Sequence, residues 1–218
     1  MQTYYKDTPH FSVLLNLTQN EVKITQRWKY AWINKLGAKA WTYAEKRKFH
    51  ASADRLIWSV WGTPFELMPA THSVLPKGYQ AKPLKVFFDI EWVIGSNQHW
   101  SVTAAKIPKG SFEQSYIVWE TRKISLDSED VVPVLKKYTK IRNYYQRGIV
   151  HEYGHTIGNI PQAAARHGDE YLSGNPFQND FPSIMNVGEH TRKRHLDYVK
   201  QVINSLVPGL VFTVSRPL

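Results

Sequence analysis

Two histidines and a glutamate lie close together in the segment GIVHEYGHTIGNIPQ, residues 148–162. His151 and His155 are four positions apart, so on a helix they lie on the same face. Two imidazoles placed in this way bind one zinc ion, and Glu152 projects beside them without being a ligand. The HExxH spacing therefore predicts a zinc peptidase, in which Glu152 deprotonates a zinc-bound water that attacks a peptide carbonyl.

The composition restricts the metal ligands and the class of protein. Hydrophobic residues make up 42% of the 218 residues, enough to bury a core, and we expect a single domain over residues 1–218. The chain has no cysteine, so any metal must bind to His, Asp or Glu. No apolar run approaches the roughly 18 residues of a membrane-spanning helix, and no Sec-type leader is recognisable. We therefore expect no transmembrane segment.

The net charge is strongly positive, because 28 lysines and arginines face 18 aspartates and glutamates, a formal charge of +10. Such a charge attracts nucleic acid, anionic lipid or an acidic partner without specificity. The basic residues are dispersed in short groups, for example residues 46–48, 136–137 and 192–194, and no nucleic-acid-binding motif accompanies them. Solvated faces are the favoured interpretation, and we expect no specific nucleic-acid partner.

The first part of the chain predicts a hairpin and then an amphipathic helix. Residues 10–25 alternate apolar and polar side chains around a turn-like Gln-Asn pair, which predicts a β-hairpin within an N-terminal extension over residues 1–36. Thr42 and Glu45 form a capping box near the start of residues 41–62, where apolar side chains recur at helical spacing. We expect this helix to bury one apolar face.

Strands are predicted between this helix and the HExxH motif. Residues 84–94 are rich in β-branched and aromatic side chains and predict a central strand, and residues 99–107 and 115–126 predict further strands. Because these strands precede the motif, we expect the motif helix to pack beneath a sheet.

The motif itself belongs to a predicted helical stretch, and less regular sequence follows it. Residues 128–155 predict this helical stretch, with an interruption near Pro133. Gly, Asn and Pro recur over residues 158–190, which predicts loops. A last helix is predicted over residues 191–206, followed by a strand over residues 209–215.

Two further features extend the motif and carry a resemblance. The segment HEYGHTIG resembles the HExxHxxG signature of the metzincin group of zinc peptidases, and PSIMN, residues 182–186, resembles the Met-turn that these enzymes place beneath the metal. The resemblance implies a zincin-like α+β fold. In that fold a mixed β-sheet lies over the active-site helix, and a C-terminal helix and strand follow the Met-turn that contains Met185.

A narrower resemblance covers approximately residues 41–199. The order of the motifs is similar to that in the metallopeptidase effector domains of type VI secretion spike proteins and related contractile injection systems. It implies an effector or toxin domain with a protein or peptide substrate, and secretion or injection machinery as a partner. It also implies a protein that is cytoplasmic in the producing cell and is delivered or secreted without a Sec signal peptide.

The third zinc ligand is the point at which the chain departs from the metzincin pattern. Pro161 occupies the position of that ligand and has no donor atom. Glu189 is the first choice instead, because effector-type relatives use a glutamate well downstream of the second histidine. Its place at the start of the last helix would hold a ligand rigidly. The alternative interpretation of Glu189 is a carboxylate that stabilises a helix N-terminus.

Asp169 is the second choice for the third ligand. It begins an Asp-Glu-Tyr group that we expect in effector-type relatives soon after the glycine, as though the residues before it were an insertion. A solvated loop is the alternative interpretation of this acidic pair. His190 and His195 are the third and fourth candidates. His195, Tyr171 or Tyr198 would alternatively donate a hydrogen bond to the developing oxyanion, although packed or surface side chains are the favoured interpretation.

Three functions remain open on the sequence alone. The favoured one is a zinc endopeptidase whose substrate lies extended along an edge strand within residues 100–118. The second is a catalytically inactive zincin scaffold that binds a partner, with Pro161 as the mark of a degraded site. The third is a basic domain that binds nucleic acid or anionic membrane.

Overall fold

The structure has a mixed α+β architecture with one large mixed sheet and few helices. The computed structural model describes residues 2–62 and 64–215. In chain order its strands are β1 (Thr3–Asp7), β2 (Ser12–Asn16), β3 (Glu21–Asn34), β4 (Glu66–Pro69), β5 (Leu84–Trp92), β6 (Trp100–Lys106), β7 (Tyr116–Val118), β8 (Lys123–Asp127), β9 (Val134–Lys137), β10 (Tyr144–Gln146) and β11 (Phe212–Ser215). Its helices are α1 (Tyr43–Ile57), α2 (Gly148–Thr156) and α3 (Asp197–Asn204), with a π-helical turn at Trp58–Gly62 and a 3-10 turn at Lys193–Leu196. Neither described range contains a helix long and apolar enough to cross a membrane.

Nine strands of the described residues form the large sheet. Seven of them follow the order β11-β4-β5-β3-β6-β8-β7, and β1 and β2 pair beside the first half of β3. The pairs β3–β5, β3–β6 and β6–β8 are parallel, whereas β7–β8 is antiparallel. β7 is the last strand of this order, so it forms an edge of the sheet next to the motif helix α2.

β3 is the longest strand and lies inside the sheet. Its buried side chains alternate along the strand, as expected for a strand with one face in the core. The antiparallel pair β2–β3 confirms the predicted hairpin. β3 also pairs with β5 and β6, so these N-terminal residues belong to the main sheet and are not an extension of it.

α1 begins at the predicted capping box. Thr42 Oγ1 accepts a hydrogen bond from Glu45 N (3.2 Å), and Glu45 Oε2 accepts one from Thr42 N (2.8 Å). Phe49, Ala53 and Ile57 recur at helical spacing and are buried in the core. The predicted helix is therefore confirmed, and it continues into the π-helical turn.

Residues 128–147 do not form the helix that the sequence predicts. β9 and β10 form a separate antiparallel hairpin there, and the motif helix begins only at Gly148. Pro133 has no amide hydrogen for a helical hydrogen bond, and the β-branched residues beside it favour strands. Thr139 closes the hairpin turn, because its Oγ1 accepts a hydrogen bond from Arg142 N (2.9 Å).

α2 is buried and packs against the large sheet. The ring of Tyr153 contacts those of Trp28 in β3 and Phe88 in β5. Trp61, in the π-helical turn after α1, donates a hydrogen bond from Nε1 to Val150 O (3.0 Å). The nine-residue α2 is too short to be stable alone, so these tertiary contacts maintain it.

The last helix and strand follow the predicted order with a later start. Arg192 N donates a hydrogen bond to His195 Nδ1 (3.0 Å), and the chain there forms a 3-10 turn before α3 begins at Asp197. Val199 and Ile203 of α3 are buried, as the predicted apolar face requires. β11 then pairs with β4 in the antiparallel sense and completes the sheet order.

Gly154 on α2 is closely covered by the segment predicted to form the Met-turn. A Cβ at this position would lie 2.6 Å from Met185 Sδ and 2.8 Å from Trp61 Cζ2. We therefore expect Gly154→Ala to destabilise the protein. Overpacking costs about 1–3 kcal/mol, more than the roughly 1 kcal/mol that alanine gains over glycine in a helix.

Urea unfolding measures this effect, with Gly95→Ala as the control. A Cβ at Gly95 would have only an ordinary contact, 3.5 Å from Asn97 Oδ1. Equal stability of the two variants would contradict the close packing described for α2.

Candidate metal centre and active-site cleft

Two histidines of α2 and an aspartate of a following loop converge on one point. His151, His155 and Asp169 each place a ligand atom within 4.8 Å of the other two. Asp169 Oδ1 lies 3.1 Å from His151 Nε2 and 3.3 Å from His155 Nε2. Ligand atoms about 2.0–2.1 Å from a tetrahedral zinc ion are about 3.3–3.4 Å apart. The three residues therefore have the spacing of metal ligands.

The second nitrogen of each imidazole is already hydrogen-bonded. His151 Nδ1 donates to Ile184 O (2.8 Å), and His155 Nδ1 donates to Asn159 O (2.6 Å). A carbonyl only accepts, so each neutral ring carries its proton on Nδ1 and a lone pair on Nε2. Asp169 Oδ1, which faces both lone pairs, is buried without a hydrogen-bond partner in the described ranges. Three acceptors arranged in this way fit a bound cation.

The electrostatics of the cluster also favour positive charge between these groups. Burial acts to raise the pKa of Asp169, yet the two histidines hold it far below its usual value. Burial acts to lower the pKa of His155, yet Asp169 and Glu152 raise it. A proton on the imidazole or a divalent cation satisfies the same arrangement, and binding of the cation releases the proton.

Asp169 reaches the histidines because the chain after α2 folds back on itself. Gly158 has a φ of +104° and turns the chain after the helix, and the ring of Tyr198 lies where a Cβ would be. Pro161 lines the cleft, and a Cβ on Gly168 would be 3.1 Å from the Pro161 ring. The loop therefore leaves at Pro161 and returns at Gly168, immediately before Asp169.

Glu170 fixes the loop that presents Asp169. Its backbone N donates to Met185 O (2.7 Å), and its carboxylate accepts from Arg194 Nε (2.7 Å) and Nη2 (2.8 Å). His195 Nε2 lies 3.1 Å from Glu170 Oε1 and donates to it. Glu170 is only 4% exposed, so the solvated-loop interpretation is wrong for this residue.

The segment around Met185 also orients the first histidine. Ile184 O, which accepts from His151, accepts as well from Gln146 Nε2 (2.8 Å). The same Gln146 nitrogen donates to Gly188 O (2.7 Å). Met185 is fully buried against α2. No sequence pattern marks Gln146, because a single buried glutamine belongs to no periodic pattern.

Glu189, the first choice for the third ligand, lies elsewhere. Its Oε1 accepts from Arg147 N (2.7 Å) and its Oε2 from Arg147 Nη1 (2.6 Å). Both oxygens are thus engaged at the N-terminus of α2, where the helix dipole favours a carboxylate. Glu189 lines a separate cavity of ≈ 680 Å³ that excludes the histidine cluster. The structure therefore corrects the order of the candidates and places Asp169 beside His151 and His155.

The other candidates divide into one that borders the cleft and three that do not. Those that do not line it are His190, His195 and Tyr198. Tyr171 lines it, and its ring stacks on that of His151 with centroids 6.4 Å apart. Burial and the Asp169 carboxylate raise the pKa of Tyr171, so its hydroxyl remains protonated at neutral pH. Of the predicted oxyanion donors, Tyr171 is therefore the one that lines the cleft.

An open cleft of ≈ 550 Å³ runs past the cluster. Glu152 lines it and is 8% exposed, and its carboxylate makes no hydrogen bond or ion pair within the described ranges. The edge strand β7 contributes Tyr116 and Ile117 to the same cleft. The cleft thus brings a carboxylate without a partner and a sheet edge to the side of the histidine cluster.

Asp130 lines the cleft at the start of α2. Its Oδ2 accepts from Ser115 Oγ (2.5 Å) and from Asp127 N (2.8 Å). Its Oδ1 lies over Gly148, where a Cβ would overlap it. Burial and the Asp127 charge raise the pKa of Asp130 to about 7. No motif marks Asp130, because a long-range hydrogen bond from Ile149 N to Asp130 O (3.2 Å) brings it to α2.

No family model, curated protein or solved structure matches this chain. A functional interpretation therefore depends on the motifs and on the geometry of the cleft. The two specific motifs, residues 151–158 and 182–186, meet in the structure through the hydrogen bond from His151 to Ile184.

Acid stability tests the role of Glu170. Its folded pKa of about 2 is below the ordinary value of 4.5, despite burial, because His195 and Arg194 stabilise the charged form. Such a depressed pKa contributes on the order of 3 kcal/mol above pH ~4.5, and this contribution is lost as the pH falls to ~2. We expect Glu170→Gln to lower the stability at pH 7 and to weaken its dependence on pH in this window.

Urea unfolding at pH 7 and pH 3, with chelator present to remove any metal contribution, measures this difference. Glu113→Gln is the control, because the Glu113 side chain is 40% exposed and its ion pair in the described residues is with Lys35. An unchanged pH dependence in Glu170→Gln would contradict the role assigned to this carboxylate.

Proposed function

We propose that this protein is a zinc-dependent endopeptidase in which His151, His155 and Asp169 hold the metal ion. The observation that carries the proposal is the convergence of two Nε2 atoms on a buried carboxylate oxygen without a hydrogen-bond partner in the described ranges. Three such ligands with an open fourth position are typical of catalytic zinc sites. The zincin-like interpretation, with the sheet over α2 and Met185 beneath the metal, belongs to the same proposal.

The proposed chemistry assigns the proton transfers to Glu152. A zinc ion bound at this site would polarise the carbonyl of a peptide bond and lower the pKa of a water molecule in its open position. Glu152 takes a proton from the attacking water as the new carbon–oxygen bond forms, and gives it to the leaving nitrogen as the carbon–nitrogen bond breaks. Tyr171 donates a hydrogen bond to the carbonyl oxygen as negative charge develops there.

The substrate is proposed to lie extended along β7. This strand pairs with β8 on one side only among the described residues, and it borders the cleft that contains Glu152. An extended peptide adds to such an edge through main-chain hydrogen bonds. β7 falls within residues 100–118, where the edge strand was predicted, whereas β6 pairs on both sides and lies inside the sheet.

Two observations favour an active centre over an inactive scaffold. Asp169 supplies a donor where Pro161 has none, and Glu152 faces the cleft without an ionic partner in the described residues. Two histidines and one carboxylate also suit iron(II). The carboxylate of Glu152 next to His151 favours hydrolysis, because hydrolysis needs a general base at that position. Delivery into another cell, which the resemblance implies, stays a prediction.

Metal analysis tests the ligand set. We expect the purified protein to bind about one zinc ion per chain. Asp169→Asn should weaken zinc binding by more than the roughly 10- to 100-fold that loss of an outer hydrogen-bond partner costs. Competition with a fluorescent chelator measures the affinity. Glu189→Gln is the matched control and should change it by less than about 10-fold. A larger loss in Glu189→Gln than in Asp169→Asn would contradict the proposed ligand set.

Glu152→Gln tests the catalytic step. The variant should retain zinc and lower the rate of peptide cleavage by about 10²- to 10⁴-fold, because it has no carboxylate to accept the proton. Cleavage of a quenched-fluorescent peptide library and the zinc content are measured on the same preparation. Glu113→Gln, an isosteric change at a half-exposed glutamate outside the cleft lining, should retain the parent rate. Parent-like cleavage by Glu152→Gln would refute the mechanism.

A further inference from the structure

The Asp130 carboxylate faces the cleft with one oxygen free. Oδ2 is held by Ser115 and by the backbone of Asp127, so the orientation of the side chain is fixed. Oδ1 makes no hydrogen bond in the described ranges and lies over Gly148. Because Gly148 has no side chain, the Asp130 carboxylate can approach α2 this closely, and both residues line the cleft. Gly148 and Glu152 are four residues apart on α2, which is about one helical turn. Asp130, which lies against Gly148, is therefore close to the proposed general base Glu152.

Several buried or partly buried carboxylates of the described residues have a cationic partner within 4.0 Å, namely Asp89, Glu170, Asp180, Glu189 and Asp197. Within the same residues Asp130 lacks one, as do Asp54 and Asp127. No ion pair to Asp130 is present in residues 2–62 and 64–215, although the chain carries ten more basic than acidic residues. Lys136 lines the same cleft but lies over the ring of Phe112, 5.8 Å from its centroid.

We propose that Asp130 selects substrates with a lysine or arginine side chain, which enters the cleft over Gly148 and pairs with Asp130 Oδ1. This inference rests on the proposed peptidase function, because it assigns a specificity to the same cleft. A fixed carboxylate with one free oxygen, next to the general base, suits an ammonium or guanidinium group that donates a charge-assisted hydrogen bond.

The walls of the cleft suit the rest of such a side chain. Ile117, Leu172 and Val187 line it and offer apolar surface to the aliphatic stem of lysine or arginine. The Asp127 charge adds to the negative potential at Asp130. A glutamate side chain in the same place would lie near the negative charges of Asp130 and Asp127, so we expect it to be disfavoured.

Cleavage of matched peptides tests this specificity. The peptides are N-acetylated and C-amidated, and each position around the cut holds lysine, arginine, norleucine or glutamate in turn. At one of the peptide positions around the cut, we expect kcat/KM for lysine and arginine peptides to exceed that for norleucine peptides by about 10- to 100-fold. Asp130→Asn keeps the shape of the side chain and should remove this preference, with norleucine peptides changed by less than about 3-fold.

Glu129→Gln is the control variant. It removes the same charge from the neighbouring residue, which lies outside the cleft lining, and should leave the preference intact. Equal cleavage of lysine and norleucine peptides by the parent, or an equal loss of both in Asp130→Asn, would overturn the proposal. A preference seen only in peptides with a free N-terminal amine would overturn the side-chain assignment, because the terminal amine would then be the cation.

A binding experiment tests the proposed specificity of Asp130 independently of peptide cleavage. The same peptides are titrated into zinc-loaded Glu152→Gln protein and followed by fluorescence anisotropy. Tighter binding of lysine peptides that disappears when Asp130→Asn is added supports the proposed specificity, even if the parent protein cleaves no peptide. Absence of cleavage would contradict the peptidase proposal alone. No peptide binding, or binding without a charge preference, would overturn the role of Asp130 whatever the catalytic result.

Discussion

Three hydrogen-bond acceptors face one another in the candidate site, and the site depends on positive charge between them. The Nδ1 protons of His151 and His155 are committed to backbone carbonyls, which leaves both Nε2 lone pairs directed at Asp169. At distances of 3.1 and 3.3 Å, a positive charge shared by these groups, either a proton on an imidazole or a bound cation, stabilises the arrangement. A divalent metal provides that charge without requiring either imidazole to leave its backbone partner.

The surrounding structure holds these acceptors through contacts from different parts of the chain. α2 fixes the two histidines, the sheet supports α2 through Tyr153, and the turn at Met185 orients His151 through Ile184 O. Glu170 joins the aspartate loop to Arg194 and to that turn. Because all of these segments hold the proposed metal ligands, we expect zinc binding and folding to stabilise each other.

The sequence predicted local structure well and long-range placement less well. The capping box at Thr42 and the strand patterns depend on nearby residues, and the structure has them. The helix predicted over residues 128–147 is a hairpin, since a segment with Pro133 and exposed apolar residues has no helical face to bury. Only tertiary contacts distinguish Glu189 from Asp169 as a candidate ligand. Arg147 pairs with Glu189, whereas the loop after Pro161 brings Asp169 to the two histidines.

Crystals of the zinc-loaded protein, with diffraction data on both sides of the zinc absorption edge, would locate the metal and its ligands. We expect one anomalous peak about 2.0–2.2 Å from Nε2 of His151, Nε2 of His155 and a carboxylate oxygen of Asp169. Glu189 should remain paired with Arg147 in the same crystals. A peak bound by Glu189, or no peak among the three acceptors at saturating zinc, would contradict the proposed ligand set.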